Sequence, residues 1–269
     1  MDKIRFAYKD GKTKALTMSY DDGRNFDRRL AEIFDRYGIR GTFHLNSGVL
    51  GDSAHVSADE IPVLYKNHEV SCHTLTHPYL ERISPMEVVH EILADKENLE
   101  KACGYVVRGM SYPFGTTSDK ATEILRSLGM KYSRTTKSTG GFGVPDDFMY
   151  WNPTCHHGDS KLLEKLEQFK NLTAKQNRYL SLFYVWGHSY EFDTAGNWNV
   201  IEEFCRQASG MEDTWYATNI EICDYITALR SAEMSADRSL LYNPSAVSVW
   251  AVVGGETVEC KPGVVTKLF

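Results

Sequence analysis

The stretch Leu16-Thr17-Met18-Ser19-Tyr20-Asp21-Asp22-Gly23 decides the fold, because an apolar, strand-like run ends there in two adjacent carboxylates and a glycine. Successive side chains on a strand face opposite ways, but where the strand breaks at Gly23 both carboxylates can turn toward one cavity. Such a pair can divide its work, since one carboxylate can hold a metal while the other takes a proton. Asp-Asp-Gly is equally typical of a simple turn, so the stretch alone leaves both interpretations open.

The composition of the chain bounds its class. Its 269 residues, 42% hydrophobic and 12% aromatic, suffice for a large core in one domain, or in one domain with a small appendage. The formal net charge of −6 disfavours a nucleic-acid partner or an anionic membrane, which attract clustered Lys and Arg, so we expect a neutral substrate. The six cysteines form no Cys-x-x-Cys pair, which fits neither a zinc knuckle nor a disulfide scaffold.

The sequence contains no apolar run of transmembrane length, so we expect no membrane span. The first residues, Met1-Asp2-Lys3-Ile4-Arg5, lack the apolar centre of a signal peptide. We therefore expect a cytoplasmic protein, or an extracytoplasmic one if the sequence was trimmed. The oligomeric state stays open.

Strand and helix patterns alternate six or seven times along the chain. After the opening strand, further strands are predicted at 39–45, 69–72, from 106, 131–135, 148–151 and 179–186. Helix signals stand between them, such as the capping box Ser84-Pro85-Met86-Glu87. This alternation predicts an α/β fold with a parallel sheet, either open or closed as a barrel.

Polar residues favour the barrel, because they follow the ends of several predicted strands. These residues are Asp21, Asp22, His73, His77, Pro113, Trp151 and His188. In a β/α barrel all such strand ends meet on one face, where these barrels carry out their chemistry.

The tail has a different pattern. Alternation from Val247 to Val252, a Gly254-Gly255 turn and a run from Thr257 to Cys260 predict a β-hairpin. We therefore divide the chain into a barrel over residues 1–240 and a hairpin extension over 241–269 that packs on it.

His73 and His77 are four residues apart, so one helical turn would place both imidazoles on one side, a spacing found in many zinc-binding pairs. Two hydrogen-bonded surface histidines are the alternative for this pair taken alone. With a carboxylate from the Asp-Asp-Gly stretch, two imidazoles would leave open positions on a zinc ion.

Four stretches together resemble the polysaccharide deacetylases, the family-four carbohydrate esterases with a NodB-type domain. Ser19-Tyr20-Asp21-Asp22-Gly23 resembles their first motif, and His73-Thr74-Leu75-Thr76-His77-Pro78 is similar to their second. Tyr112-Pro113-Phe114-Gly115 matches the end of the third, and Val185-Trp186-Gly187-His188 looks like the fifth. The resemblance covers about residues 15 to 190 and implies a distorted seven-stranded (β/α) barrel.

The resemblance also implies roles for individual residues. Asp21 would be the general base, His188 the general acid, and Asp22, His73 and His77 the ligands of one divalent metal. Zinc suits two nitrogens and one oxygen best, with Co²⁺, Ni²⁺ and Mn²⁺ as alternatives. The residues expected to contact substrate or an oxyanion are Tyr112, Pro113, Phe114, Trp151 and Trp186.

The sequence departs from the family pattern at two places. Ser111 stands where the third motif usually carries an arginine, and Arg108 is the nearby candidate to support Asp21. Tyr150-Trp151 replaces the usual Asp-Trp of the fourth motif, which removes the acid that orients the catalytic histidine. Glu191 is the first candidate to replace that acid, ahead of Asp146 and Asp147.

The expected function is a metal-dependent hydrolase that removes acetyl groups from an N-acetylated amino sugar or an O-acetylated glycan. Two alternatives stay open: hydrolysis of a cyclic amide or ureide on the same fold, and a catalytically inactive carbohydrate-binding relic. His156 and His157 are expected to be a solvated loop pair, with a position facing the site as the alternative, and Trp186 either stacks on a sugar or fills the barrel.

Overall fold

The computed structural model describes residues 4–173 and 180–269. In chain order its strands are β1 (Ile4–Ala7), β2 (Lys14–Asp21), β3 (Gly41–Leu45), β4 (Glu69–Cys72), β5 (Gly109–Ser111), β6 (Tyr132–Arg134), β7 (Cys155–His156), β8 (Ser181–His188), β9 (Thr214–Tyr216), β10 (Glu233–Met234), β11 (Leu240–Tyr242), β12 (Val249–Val253), β13 (Glu256–Cys260) and β14 (Val265–Lys267). Its helices are α1 (Asp27–Tyr37), α2 (Ile61–Leu64), α3 (Pro85–Cys103), α4 (Asp119–Ser127), α5 (Leu162–Lys170), α6 (Ser189–Thr194), α7 (Trp198–Ala208) and α8 (Asn219–Ser231).

The predicted α/β barrel is confirmed. Strands β2 to β8 form one parallel sheet in the order β6-β5-β4-β3-β2-β8-β7, which curls on itself. Trp151 pairs with Arg134 on β6, and Cys155 pairs with Val185 on β8, so the short segment between Trp151 and Cys155 bridges the two sides of the sheet. Because β7 has only two residues, the barrel is distorted at this seam.

Strand β2 lies at the centre of the sheet, and all eight of its residues are buried. It pairs with β8 along its whole length, from Lys14 beside Ser181 to Asp21 beside His188. On its other side β3 lies along the second half of β2, and β9, which the sequence did not predict, lies along the first half. This register places Asp21 and His188 next to each other at the carboxyl edge.

Several predicted local signals are present in the structure. Ser84 and Glu87 cap α3 reciprocally, since the Ser84 N–H donates to Glu87 Oε2 at 2.8 Å and the Glu87 N–H donates to Ser84 Oγ at 3.3 Å. The segment Phe148–Tyr150 is a 3₁₀ turn, although the sequence predicted extended structure there. Tyr179, the first residue of the predicted strand 179–186, lies outside the described residues. Within residues 4–173 and 180–269, no helix combines the length and apolar character needed to span a membrane.

Two small antiparallel sheets contain the strands of the tail, and one of them also includes the amino-terminal strand β1. The predicted hairpin consists of β12 and β13, and β1 adds to it through β12, with Ile4 beside Val253. Strands β10, β11 and β14 form a second small sheet. Both sheets also include residues from before position 240, so each small sheet combines strands from the two sides of the predicted boundary.

The buried carboxyl group of Glu69 links the amino end of the barrel to α8. Glu69 accepts hydrogen bonds from the hydroxyls of Thr42 at 2.9 Å and Tyr132 at 2.7 Å, and from the backbone N–H of Ile220 at 2.8 Å. Burial raises the pKa of Glu69 to about 7, although these three donors oppose the change.

Glu69→Gln should make the stability of the fold less dependent on pH. Between about pH 4.5 and 7 the folded chain keeps a proton on Glu69 that the unfolded chain has lost, so the free energy of unfolding falls as pH rises. The glutamine has no such proton, and the difference should be on the order of 1–3 kcal/mol. Urea unfolding from pH 5 to 8 measures it. The exposed substitution Glu32→Gln on α1 serves as control, and equal slopes for all three proteins would contradict the assignment.

Candidate active site

A cavity of about 570 Å³ opens at the carboxyl edge of the barrel. It is lined by Asp21, Asp22, His73, His77, Tyr112, Phe114, Gly115, Thr136, Trp186, His188 and Tyr190. Four of the six non-glycine residues with positive φ among the described residues lie in the loops around it: Asp22, Thr74, His77 and Phe114. Left-handed backbone at such residues is costly and concentrates at functional sites.

Three side chains in this cavity lie close enough together to bind one metal ion. Asp22 Oδ1 lies 3.6 Å from His73 Nε2 and 3.9 Å from His77 Nε2. One ligand atom from each residue lies within 4.8 Å of the other two. Burial, together with the neighbouring His73, lowers the pKa of His77, which keeps its imidazole neutral and able to donate a lone pair.

Ser111 determines which nitrogen of His73 faces the cavity. His73 Nδ1 lies 2.9 Å from the Ser111 carbonyl oxygen and 2.7 Å from Ser111 Oγ. A carbonyl can only accept a hydrogen bond, so Nδ1 carries the proton and Nε2 keeps its lone pair on the side of Asp22. The Ser111 hydroxyl donates to Asp21 Oδ1 at 2.9 Å, so this small residue contacts both the base candidate and a ligand candidate.

Arg134, at the end of β6, is the ion-pair partner of Asp21. Its guanidinium donates to Asp21 Oδ2 and, through Nε, to Ser19 Oγ at 3.1 Å. Both members of the pair are buried. Burial alone would raise the pKa of Asp21, but Arg134, with His73 and His44, holds it well below the usual range of a carboxyl group.

The expectation that Arg108 supports Asp21 is wrong. Arg108 donates two hydrogen bonds to Asp224 on α8, at 2.9 and 2.7 Å, outside the cavity. The sequence did contain a signal for Arg134. Side chains two positions apart on a strand face the same way, so Arg134 faces inward like Tyr132 and lies at the carboxyl end of the strand. The arginine missing from position 111 is thus supplied by the next strand of the sheet.

His188 lines the cavity beside Asp21 and contacts Glu191. Its Nδ1 is 3.3 Å from Glu191 Oε1, and its backbone N–H donates to Glu191 Oε2 at 3.2 Å. Burial alone would lower the pKa of His188, but Glu191 and the carboxylates of Asp21 and Asp22 raise it above its usual value. Asp147, an alternative partner, instead pairs with Arg126 on α4.

The aromatic candidates divide into core and cavity residues. Trp151 is buried against Tyr132, Phe148 and Tyr184 and does not line the cavity, so its predicted contact with substrate is wrong. A short segment at the barrel seam places Trp151 in the core instead.

Pro113 is also buried and does not line the cavity, whereas Tyr112, Phe114 and Trp186 do. The Phe114 ring is 46% exposed and stacks on Tyr79, with ring centroids 3.7 Å apart. Trp186 covers Arg134, whose guanidinium carbon lies 4.5 Å from the ring centre. Trp186 therefore both packs within the barrel and forms part of the cavity wall.

His156, the last residue of β7, and His157 are not the solvated loop pair that the sequence suggested. His157 is 4% exposed, and its Nε2 lies 3.0 Å from Glu191 Oε2. His156 Nε2 lies 3.0 Å from the same oxygen. Neither contact was visible in the sequence, because β7 and α6 meet only through the fold.

Comparison with known proteins places this geometry in context. The family model "Polysaccharide deacetylase" matches residues 8–133. A chitooligosaccharide deacetylase of Bradyrhizobium is 26% identical over 106 residues, which are 38% of this chain and 47% of that protein. A peptidoglycan-N-acetylglucosamine deacetylase of Bacillus cereus is 24% identical over 119 residues, 43% of this chain and 42% of that protein. The chain thus spans less than half the length of these relatives.

The fold has a close counterpart among solved structures. A Mycobacterium smegmatis protein described as a candidate polysaccharide deacetylase superposes with a TM-score of 0.60 at 17% identity. The superposition covers 86% of this chain and 96% of that one. At this level of identity the likeness concerns the fold.

Arg134→Gln should destabilise the metal-free protein by about 3–5 kcal/mol, because it leaves the Asp21 carboxylate buried without its partner. The double variant Asp21→Asn, Arg134→Gln should recover part of this loss, since it removes the unpaired charge. Urea unfolding measures both. Arg108→Gln is the matched control, and its surface pair should contribute less than about 1 kcal/mol. Equal losses for the two arginines would contradict the assignment.

Proposed function

We propose that the protein is a metal-dependent hydrolase that removes acetyl groups from an N-acetylated amino sugar or an O-acetylated glycan, because residues 8–133 match the family model "Polysaccharide deacetylase". The observation that carries this proposal is the convergence of Asp22, His73 and His77 beside a buried carboxylate, Asp21, and a protonatable imidazole, His188. A relic that only binds carbohydrate would have no need to keep the proton-transfer groups and the ligand set together.

The donor set fits one divalent metal. Asp22, His73 and His77 offer one carboxylate oxygen and two imidazole nitrogens, which is a set that zinc accepts in catalytic sites, with Co²⁺, Ni²⁺ and Mn²⁺ as alternatives. The hydrogen bond of His73 Nδ1 to Ser111 leaves the other nitrogen free for this purpose. When bound, such a metal polarises an acyl carbonyl and makes water more acidic.

Asp21 is the general base of the proposed reaction. The ion pair with Arg134 keeps it ionised, and the hydrogen bond from Ser111 fixes the direction of its carboxylate. It therefore presents a charged acceptor to the attacking water, at the edge where the ligand residues converge.

His188 is the general acid, which gives its proton to the departing amine or alcohol. Its raised pKa favours the charged form, and Nδ1 lies 3.3 Å from Glu191 Oε1, so Nε2 is the nitrogen left for the substrate. In the same proposal the backbone N–H of Phe114, held in its strained φ of 58°, donates to the oxyanion that forms from the acetyl carbonyl.

The cavity walls suit a neutral sugar. Trp186, Phe114 and Tyr190 offer aromatic surface around the carboxylates and imidazoles, and sugar rings pack against such surface through their apolar faces. The net charge of −6 is compatible with a neutral glycan rather than a polyanion.

The double variant His73→Ala, His77→Ala should bind no stoichiometric metal, because it loses two of the three ligands. Elemental analysis after gel filtration gives the metal content per chain. His90→Ala, an exposed histidine on α3, is the control and should keep the full content. Undiminished metal in the double variant would refute the ligand assignment.

Asp21→Asn should keep the metal but lose turnover, because the amide cannot accept a proton and Asp21 is not a ligand. Acetate release from N-acetylglucosamine oligomers should fall on the order of 10²–10⁴-fold. The neighbouring variant Asp22→Asn should instead release the metal. If Asp21→Asn lost metal to the same extent as Asp22→Asn, the division of work between the two carboxylates would be wrong.

A further inference from the structure

Glu191 lies among three imidazoles, and its two oxygens contact different ones. Oε2 is 3.0 Å from Nε2 of His156 and 3.0 Å from Nε2 of His157, while Oε1 is 3.3 Å from Nδ1 of His188. One carboxylate oxygen thus faces the seam of the barrel, and the other faces the active site.

The proton of His156 can be placed from its neighbours. The backbone N–H of Gly158 donates to His156 Nδ1 at 3.0 Å, so that nitrogen is an acceptor and carries no proton. The proton of the neutral ring must then sit on Nε2, from which it points at Glu191 Oε2. His156 therefore presents its N–H side to Glu191 Oε2, which lies 3.0 Å from Nε2.

His157 is fixed by packing. Its ring is stacked between Tyr20, with centroids 5.6 Å apart, and Phe192, with centroids 4.0 Å apart. A Cβ on Gly187 would lie 2.0 Å from this ring, so only glycine fits between Trp186 and His188. Burial lowers the pKa of His157 and keeps the ring neutral. Its Nδ1 has no partner among the described residues, which places its single proton on Nε2, also toward Glu191.

We propose that His156 and His157 are positioning residues for His188, which they reach through Glu191. The imidazoles of His156 and His157 pair with one oxygen of the carboxylate, which leaves its other oxygen 3.3 Å from His188 Nδ1 as the ion-pair partner that orients that ring. This inference rests on the proposed role of His188. Glu191 would then take the place of the acid that is missing at Tyr150, and residues at the end of β7 would set the direction of its carboxylate. Outer contacts of this kind determine ring orientation and tautomer in many histidine sites.

A second metal is the competing interpretation of the same cluster, because one atom each of His156, His188 and Glu191 lies within 4.8 Å of the others. The hydrogen bond from Gly158 opposes it. If His156 Nε2 bound a cation, the neutral ring would carry its proton on Nδ1, directly against the Gly158 N–H. The cluster is therefore built for hydrogen bonding to Glu191.

The kinetic experiment uses the zinc-loaded full chain with N-acetylglucosamine oligomers as the probe. His156→Ala should lower kcat about 10-fold to 100-fold with KM and zinc content unchanged, because only the orientation of the acid is disturbed. His156→Gln places an amide N–H near the same point and should recover most of kcat. His90→Ala on the exposed face of α3 is the matched control and should match the parent chain.

A double-mutant cycle separates action through Glu191 from a merely structural effect. If His156 acts through Glu191, His156→Ala in the Glu191→Gln background should cost no further kcat. Additive losses would overturn the proposal, and so would a zinc content that falls from two equivalents to one in His156→Ala.

A spectroscopic measurement tests the positioning without any turnover. In ¹⁵N-labelled zinc-loaded protein, His188 should show a protonated Nδ1 that exchanges slowly with solvent. This signal should be lost in Glu191→Gln, and its exchange should become faster in both His156→Ala and His157→Gln. Absence of acetate release from the parent chain would refute the proposed function alone, whereas an unchanged His188 signal in all three variants would refute the positioning role alone.

Discussion

The buried ion pair between Arg134 and Asp21 is the interaction on which the rest of the site depends. A lone carboxylate in this position would take up a proton, and burying a lone guanidinium would cost free energy. Each charge therefore reduces the cost of burying the other. The pair keeps Asp21 charged at the point where β2, β6 and β8 come together. Trp186 covers the guanidinium and screens the pair from water. The ionised state of Asp21 therefore depends on the packing of the barrel core.

Hydrogen bonds around this pair determine which atoms carry protons. Ser111 accepts from His73 Nδ1 and donates to Asp21, so one small residue leaves a free nitrogen on His73, a ligand candidate, and fixes the direction of the Asp21 carboxylate. Beside Asp21, His188 Nδ1 lies 3.3 Å from Glu191 Oε1. The cavity thus presents imidazole lone pairs near Asp22 and a protonatable imidazole at His188.

The departures from the family pattern acquire a physical explanation in this arrangement. The arginine absent from position 111 is replaced by Arg134 on the next strand, and the acid absent from position 150 is replaced by Glu191 on α6. In both cases the charged side chain comes from an element other than the one that the resemblance indicated. Different elements can supply such a charge because parallel strands bring all their carboxyl ends to one edge.

The sequence by itself determined the α/β barrel, through its alternating periods, and the ligand and base candidates, because Asp21, Asp22, His73 and His77 lie in short stretches next to strand ends. Only the tertiary structure decided which residues support them. Arg134 is 113 residues from Asp21, and His156 and Glu191 lie on separate elements, so no local pattern links them. Trp151 is a case in which a local pattern was misleading. Its position at a predicted strand end indicated the cavity, but the seam of the barrel places its side chain in the core. Local patterns specify periodicity and caps, whereas strand register and barrel closure determine which distant side chains meet.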